Sequence, residues 1–195
     1  KKKKIIFFGR IHKKKGIEII LNVIKKLPDI FFDKFYFEIT GPGESHYVEK
    51  IKKIINLYDP KGIKVKMLDP ILKKNKIQYL KTASIFILPS FEEGDSIALK
   101  ESLATNLPVL ISKQCRMDIV EKYNAGIILD TNEDSVYKAL LKLTNIDIEE
   151  MGNNARKLIE DFYDNKECSR RLLNIYEDIY TGSHNSLDWF IKNGQ

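Results

Sequence analysis

Residues 84–112 read SIFILPSFEEGDSIALKESLATNLPVLIS, and the pattern inside them decides the fold. Two short, unbroken apolar runs, 84–88 and 108–112, stand on either side of a segment in which Leu99, Leu103 and Leu107 fall on one side of a helical wheel and are expected to face the core. An unbroken apolar run marks a strand covered on both faces, as strands in parallel sheets are. Strand, helix and strand in that order make one βαβ unit. A loop from Pro89 joins the first strand to the helix, with Glu93 just before the turn and Glu101 about two turns inside the helix.

The same alternation extends in both directions. Residues 4–9 (KIIFFG) form a buried-type strand, and Ile17, Ile20, Leu21, Ile24 and Leu27 then repeat at helical spacing until Pro28 stops them. Residues 35–40 (FYFEIT) form a second strand, closed by Gly41-Pro42-Gly43. A helix marked by Val48, Ile51, Ile55 and Tyr58 ends at Asp59-Pro60, and residues 63–68 alternate as an edge-near strand does. Short helices are expected over 73–82 and near 117–123, with a strand at 126–129 (GIIL).

Beyond that the spacing is purely helical. Val136, Leu140 and Leu143 mark one helix, Met151, Ala155, Leu158 and Phe162 a second, and Leu172, Leu173, Tyr176 and Ile179 a third. Alternating strands and helices predict an α/β, Rossmann-like domain: a mostly parallel six-stranded sheet with helices on both faces and further helices at the C-terminus. Such sheets bind ligands at the carboxyl ends of their strands, near the switch in strand order. Residues 1–181 are expected to form this domain and 182–195 a tail. The tail's Trp189-Phe190 pair is either a loose end or an anchor for another surface.

A chain of 195 residues holds one full core or a core with an appendage. No apolar run approaches the ~18 residues of a membrane span, and the residues given predict no signal peptide. Cys115 and Cys168 lack metal-ligand spacing, which predicts reduced thiols in a cytoplasmic setting. The net charge of +6 raises the question of a polyanionic partner. Lysines are spread over almost every segment and no nucleic-acid motif is present, so solvated faces explain the charge better than a nucleic-acid groove. Attraction to anionic lipid, as a peripheral contact at the inner face of a membrane, or to an anionic substrate stays open. The opening KKKKIIFFGR has no Met before a buried-type strand, which predicts a domain cut from something longer.

Three stretches carry candidate chemistry. In FFGRIHKKKG, Gly9 ends the first strand, Arg10 and Lys15 flank a loop, and Gly16 lets the next helix begin. Arginine offers a planar fork of donors and lysine a mobile point charge, a pair suited to adjacent phosphates; a solvated basic loop is the competing explanation. In EITGPGE, Gly41 and Gly43 permit close backbone approach to a ligand, or simply make a strand-to-helix turn. In the third stretch, Asp95 or Ser96 can cap the helix, and Gly94 removes bulk beside Glu93. The open amides of residues 96–98 would then face the strand-edge crevice, where an anion can dock. Glu101 has Ile97, Ala104 and Thr105 as helical neighbours, unusual company for a solvated glutamate, although an exposed helix residue remains an alternative. His12, His46 and His184 are scattered and read as surface residues, and Cys115 as a buried, inert thiol close to the crevice.

In combination and order, Gly9-Arg10 with Lys15-Gly16, Gly41-Pro42-Gly43, Pro89-Ser90, Glu93-Gly94, the E-x7-E pair Glu93 and Glu101, and Pro108-Val109 resemble the C-terminal, nucleotide-sugar-binding domain of retaining GT-B glycosyltransferases of the family 4 type (glycosyl transferases group 1). That group includes bacterial lipopolysaccharide and capsule transferases, which points to polysaccharide biosynthesis. The resemblance implies one half of a GT-B fold. Arg10 and Lys15 would bind the diphosphate, Glu101 the ribose hydroxyls, and Glu93 would lie beside the donor sugar. Gly9, Gly41, Gly43 and the backbone from Gly94 through Asp95 and Ser96 to Ile97 would complete the donor site. It further implies a UDP- or GDP-sugar donor, a glycan or lipid-linked acceptor held by an N-terminal domain that has no counterpart here, poor activity of this half alone, no nucleic acid, and neither cofactor nor metal.

Two departures bear on the donor sugar: Asp95-Ser96 stands where the family has Phe-Gly, and Asn106 where it has Gly. A binding or regulatory module that has lost catalysis is the second expectation, and a polyanion-binding Rossmann domain the third.

Overall fold

In the computed structural model, which describes residues 2–182, six strands form a wholly parallel sheet in the order β3-β2-β1-β4-β5-β6. The strands are β1 (Lys3–Phe8), β2 (Phe35–Thr40), β3 (Val65–Leu68), β4 (Ile85–Leu88), β5 (Val109–Ser112) and β6 (Gly126–Leu129). The intervening helices are α1 (Ile17–Lys26), α2 (Asp29–Lys34), α3 (Ser45–Tyr58), α4 (Lys76–Leu80), α5 (Ile97–Ala104) and α6 (Ile119–Lys122). After the sheet come α7 (Glu133–Lys142), α8 (Ile148–Tyr163) and α9 (Asn165–Thr181). Trp189, Phe190 and His184 lie outside the described residues.

The central strands are as apolar as their burial demands. Ile5, Ile6, Ile85, Phe86, Ile87, Val109, Leu110 and Ile111 are all fully buried. β1 pairs with β2 from Lys3↔Phe35 to Phe8↔Thr40, and with β4 at Ile5↔Ile85 and Ile6↔Phe86. The crossovers from β1 to β2 and from β2 to β3 run one way; those from β3 to β4 and β4 to β5 run the other. Right-handed crossovers therefore place α1 and α3 on one face and α4 and α5 on the opposite face. α7 closes the first layer against α1, and α8 closes the second against α5 and α6.

Four local expectations are revised. α2 was not expected; its six residues are too few for a helical period to show between Pro28 and β2. It brings Phe31 against Phe35, with ring centroids 4.8 Å apart, and against Phe37 at 6.2 Å. β3 begins at Val65 rather than Ile63, because the buried Asp59 carboxylate accepts the amides of Ile63, Lys64 and Val65 at 3.0, 2.6 and 2.9 Å. The helix expected over 73–82 is a 3-10 turn at Lys73–Asn75 followed by the five-residue α4.

The fourth revision concerns Leu107. α5 ends at Ala104, and Leu107 enters the core from the turn that follows rather than from the helix. Asn106 makes that turn with φ +61°. Asparagine tolerates the left-handed region better than other residues with a β-carbon, which accounts physically for Asn where the resembled family has Gly. The helical spacing around Leu172 does give α9, but Leu172, Leu173, Tyr176, Ile179 and Tyr180 are exposed.

Cys115 is buried, its Sγ 3.7 Å from the Ser112 hydroxyl, and burial pushes its thiol above the ordinary range. Cys168 is exposed. Iodoacetamide at mildly alkaline pH is therefore expected to modify Cys168 well before Cys115, with denaturant abolishing the difference, as read by mass spectrometry. In urea titrations, Phe37→Ala is expected to cost about 3–5 kcal/mol, whereas Tyr180→Ala, at a solvated position, should stay within about 0.5 kcal/mol.

Candidate functional site

The two crossover directions part at β1 and β4, and the loops leaving these strands border a crevice of about 670 Å³ at their carboxyl ends. The loop after β1 is built by its neighbours. Gly9 donates its amide to the Thr40 carbonyl at 3.2 Å and Ile11 to Pro42 at 2.7 Å, so the Gly41-Pro42-Gly43 turn runs alongside and extends the β1–β2 pairing. At Gly41, with φ +150°, a β-carbon would stand 1.8 Å from the Gly9 carbonyl oxygen. Gly41 and Gly43, predicted to touch the ligand, lie outside the crevice lining; they pack against the Gly9–Ile11 backbone.

A 3-10 turn over Lys13–Lys15 follows. His12 caps it, its Nδ1 accepting the Lys14 amide at 3.2 Å. Gly16 ends the turn with φ +70°, and a β-carbon there would lie 2.0 Å from the Pro89 carbonyl oxygen. Only glycine lets the two loops close to this distance. They are then stitched together: the Phe91 amide donates to the Lys14 carbonyl at 2.7 Å, and the fully buried Ser90 hydroxyl donates to the same oxygen at 2.8 Å. Ser112 in turn donates to the Ser90 carbonyl at 2.6 Å, tying the loop to β5.

The third wall is the start of α5. Of the two predicted caps, Ser96 is the one used, accepting the Leu99 amide at 3.4 Å. Asp95 turns aside to Lys100, 2.6 Å away. The first amides of a helix have no carbonyl within it to bond, and here they belong to crevice-lining Ile97 and Ala98. Gly94 has open space where a side chain would be.

Gly9, Arg10, Lys15, Glu93, Gly94, Asp95, Ser96 and Ile97 all line the crevice. Lys15 reaches across it to Glu93, Nζ to Oε1 2.5 Å, with the Glu93 side chain only 5% exposed. Beside them Lys14 pairs with Glu92, and this neighbouring ammonium holds the Glu92 carboxyl below the usual carboxylate range. Arg10 is exposed and pairs with no carboxylate among the described residues. Glu101 lies outside the lining, one turn further along the face of α5 that carries Ile97 and Ala98, and it pairs with Lys76 of α4. Among the described residues no group of three or more His, Cys, Asp or Glu side chains is placed to hold a metal ion.

Lys14, Glu92 and Lys76 were not singled out from the sequence. The paired runs Lys14-Lys15 and Glu92-Glu93 carried a signal, since matching doublets can bridge two loops in parallel. His12, read as a surface residue, lines the crevice instead. Nothing in the spacing of Lys76 and Glu101 marks them as partners.

Comparison with known proteins fits this geometry. The family model described as glycosyl transferases group 1 matches residues 1–160. An uncharacterised glycosyltransferase of Methanocaldococcus jannaschii is 25% identical over 181 residues, covering 90% of this chain and 45% of that protein. The chain spans about half the length of the curated relatives it matches. Among solved structures, the C-terminal domain of the group 1 glycosyltransferase LpcC from Francisella tularensis superposes with a TM-score of 0.72 at 15% identity, covering 84% of this chain and 87% of that one. HepE from Anabaena, in complex with UDP and glucose, gives 0.74 at 15% identity over 90% of this chain and 48% of that one. The chain therefore belongs to the glycosyl transferases group 1 family and forms the C-terminal, Rossmann-like half of a GT-B fold.

Proposed function

We propose that this domain is the donor half of a retaining glycosyltransferase, which moves a hexosyl group from a UDP- or GDP-sugar to a glycan or lipid-linked acceptor. The carrying observation is the crevice at the switch point, where Arg10, Lys15 and the first amides of α5 converge. Three sources of positive potential around one space suit a diphosphate. Arg10 and Lys15 hold the diphosphate, Glu101 accepts the ribose hydroxyls, and Glu93 lies on the sugar side. The bound nucleotide in HepE supports the donor class.

As the sugar–oxygen bond breaks, negative charge grows on the departing phosphate. Groups already fixed around that position stabilise the transition state more than the ground state. Glu93 holds Lys15 extended across the crevice before the donor arrives, so little reorganisation is needed. The remainder of the enzyme supplies the acceptor, and this half turns over poorly alone. A binding module without catalysis is the second reading, favoured by Asp95, which places a carboxylate at the crevice mouth.

Work on the cytoplasmic side, with peripheral contact to an anionic membrane, completes the proposal. No helix among the described residues is long and apolar enough to cross a membrane. The sheet edge opposite the crevice exposes Ile30, Leu57, Tyr58 and Ile63, close to Lys25, which sits over the Tyr58 ring at 3.7 Å, and Lys64, over Phe32 at 4.6 Å. Apolar tips among lysines suit an anionic headgroup layer.

Calorimetry with UDP, GDP and ADP on folded protein is expected to show binding of at least one, weakened by Arg10→Ala; binding of none would remove the site assignment. With the acceptor-binding half present, Arg10→Ala or Lys15→Ala should lower turnover by about 10²–10³. Nucleotide binding without any transfer in that assembly would instead select the non-catalytic module. In flotation assays the chain is expected to follow anionic vesicles at low salt and leave them at high salt; equal binding to neutral vesicles contradicts the membrane contact.

A further inference from the structure

Lys76 begins α4 and Glu101 lies inside α5, 25 residues apart in the chain. Both crossovers run in the same direction over the sheet, so the two helices share a face. α4 adjoins the crevice through Tyr79, whose ring centroid lies 6.0 Å from that of the crevice-lining Phe8. The Lys76 ammonium pairs with Oε1 of Glu101, and the two side chains are only 21% and 24% exposed. Oε2 of Glu101 accepts no hydrogen bond from another side chain among the described residues.

A half-buried carboxylate beside a diphosphate site faces two difficulties. It repels the incoming phosphates, and without a partner it samples several rotamers. Lys76 addresses both, because its charge cancels that of Glu101 and its contact with one oxygen fixes the carboxylate plane. The other oxygen is left to accept.

We propose that Lys76 is a positioning residue that presents Oε2 of Glu101 to the ribose hydroxyls of the donor nucleotide. This rests on the ribose role given to Glu101 above. Lys76 then acts through Glu101 and touches neither phosphate nor base.

The test is calorimetry with whichever of UDP, GDP or ADP binds best, alongside the 2′,3′-dideoxy form of the same nucleotide. Lys76→Met, Lys76→Arg, Glu101→Gln and the Lys76→Met/Glu101→Gln double variant are compared after a thermal melt confirms that each is folded. Lys76→Met is expected to weaken the ribonucleotide about tenfold, a change of about 1.4 kcal/mol, and to leave the dideoxy form unchanged. Lys76→Arg should restore most of the affinity, and Lys76→Met should cost nothing further once Glu101 is Gln.

If Glu101→Gln discriminates between the two nucleotides but Lys76→Met does not, the positioning role is overturned while the ribose role stands. If Lys76→Met weakens both nucleotides equally, Lys76 acts on the phosphates or the base and the proposal fails. If Glu101→Gln spares ribonucleotide binding, the ribose role fails and this inference with it.

Discussion

β1 sits between β2 and β4, and its neighbours are reached by crossovers that run in opposite directions. Right-handed connections then send α1 to one face and α5 to the other, so no helix covers the gap between the two loops at the strand ends. The rest of the site depends on this parting. It creates the space, and it aims the start of α5 and the Arg10–Lys15 loop into that space from opposite sides.

An open crevice needs walls that do not collapse or drift. Gly16 allows contact with the Pro89 carbonyl that no residue with a β-carbon could tolerate, and Ser90, fully buried, locks the Lys14 carbonyl in place. On the other side Gly41 permits the same closeness to Gly9. These glycines build the loop that carries Arg10. Small residues therefore serve here through backbone contact, and charged ones through what that contact holds still.

The charges around the crevice are largely paired in advance: Lys15 with Glu93, Lys14 with Glu92, Lys100 with Asp95 and Lys76 with Glu101. Arg10 stands apart from this pattern, which leaves its guanidinium available to an incoming anion. Prior pairing keeps lysines extended and limits the repulsion that clustered like charges would cause. Exposed pairs such as Lys14–Glu92 contribute little to stability, so their value lies in placement.

Much of the fold was legible in the sequence because it depends on local periodicity. Continuous apolar runs marked the buried strands, and helical spacing marked the longer helices. The order of glycines, basic residues and glutamates placed Arg10, Lys15, Glu93 and the start of α5 on one sheet edge, since each follows a parallel strand. Shorter features were hidden: α2 has too few residues to show a period, and Leu107 reaches the core from a left-handed turn at Asn106. The sequence by itself therefore determined the parallel sheet and the edge on which the chemistry collects. Only the tertiary structure decided which cation meets which carboxylate, and that Gly41 and Gly43 pack against the Gly9–Ile11 backbone. Those contacts join residues far apart in the chain through helix crossings and loop closures, which no spacing along the sequence encodes.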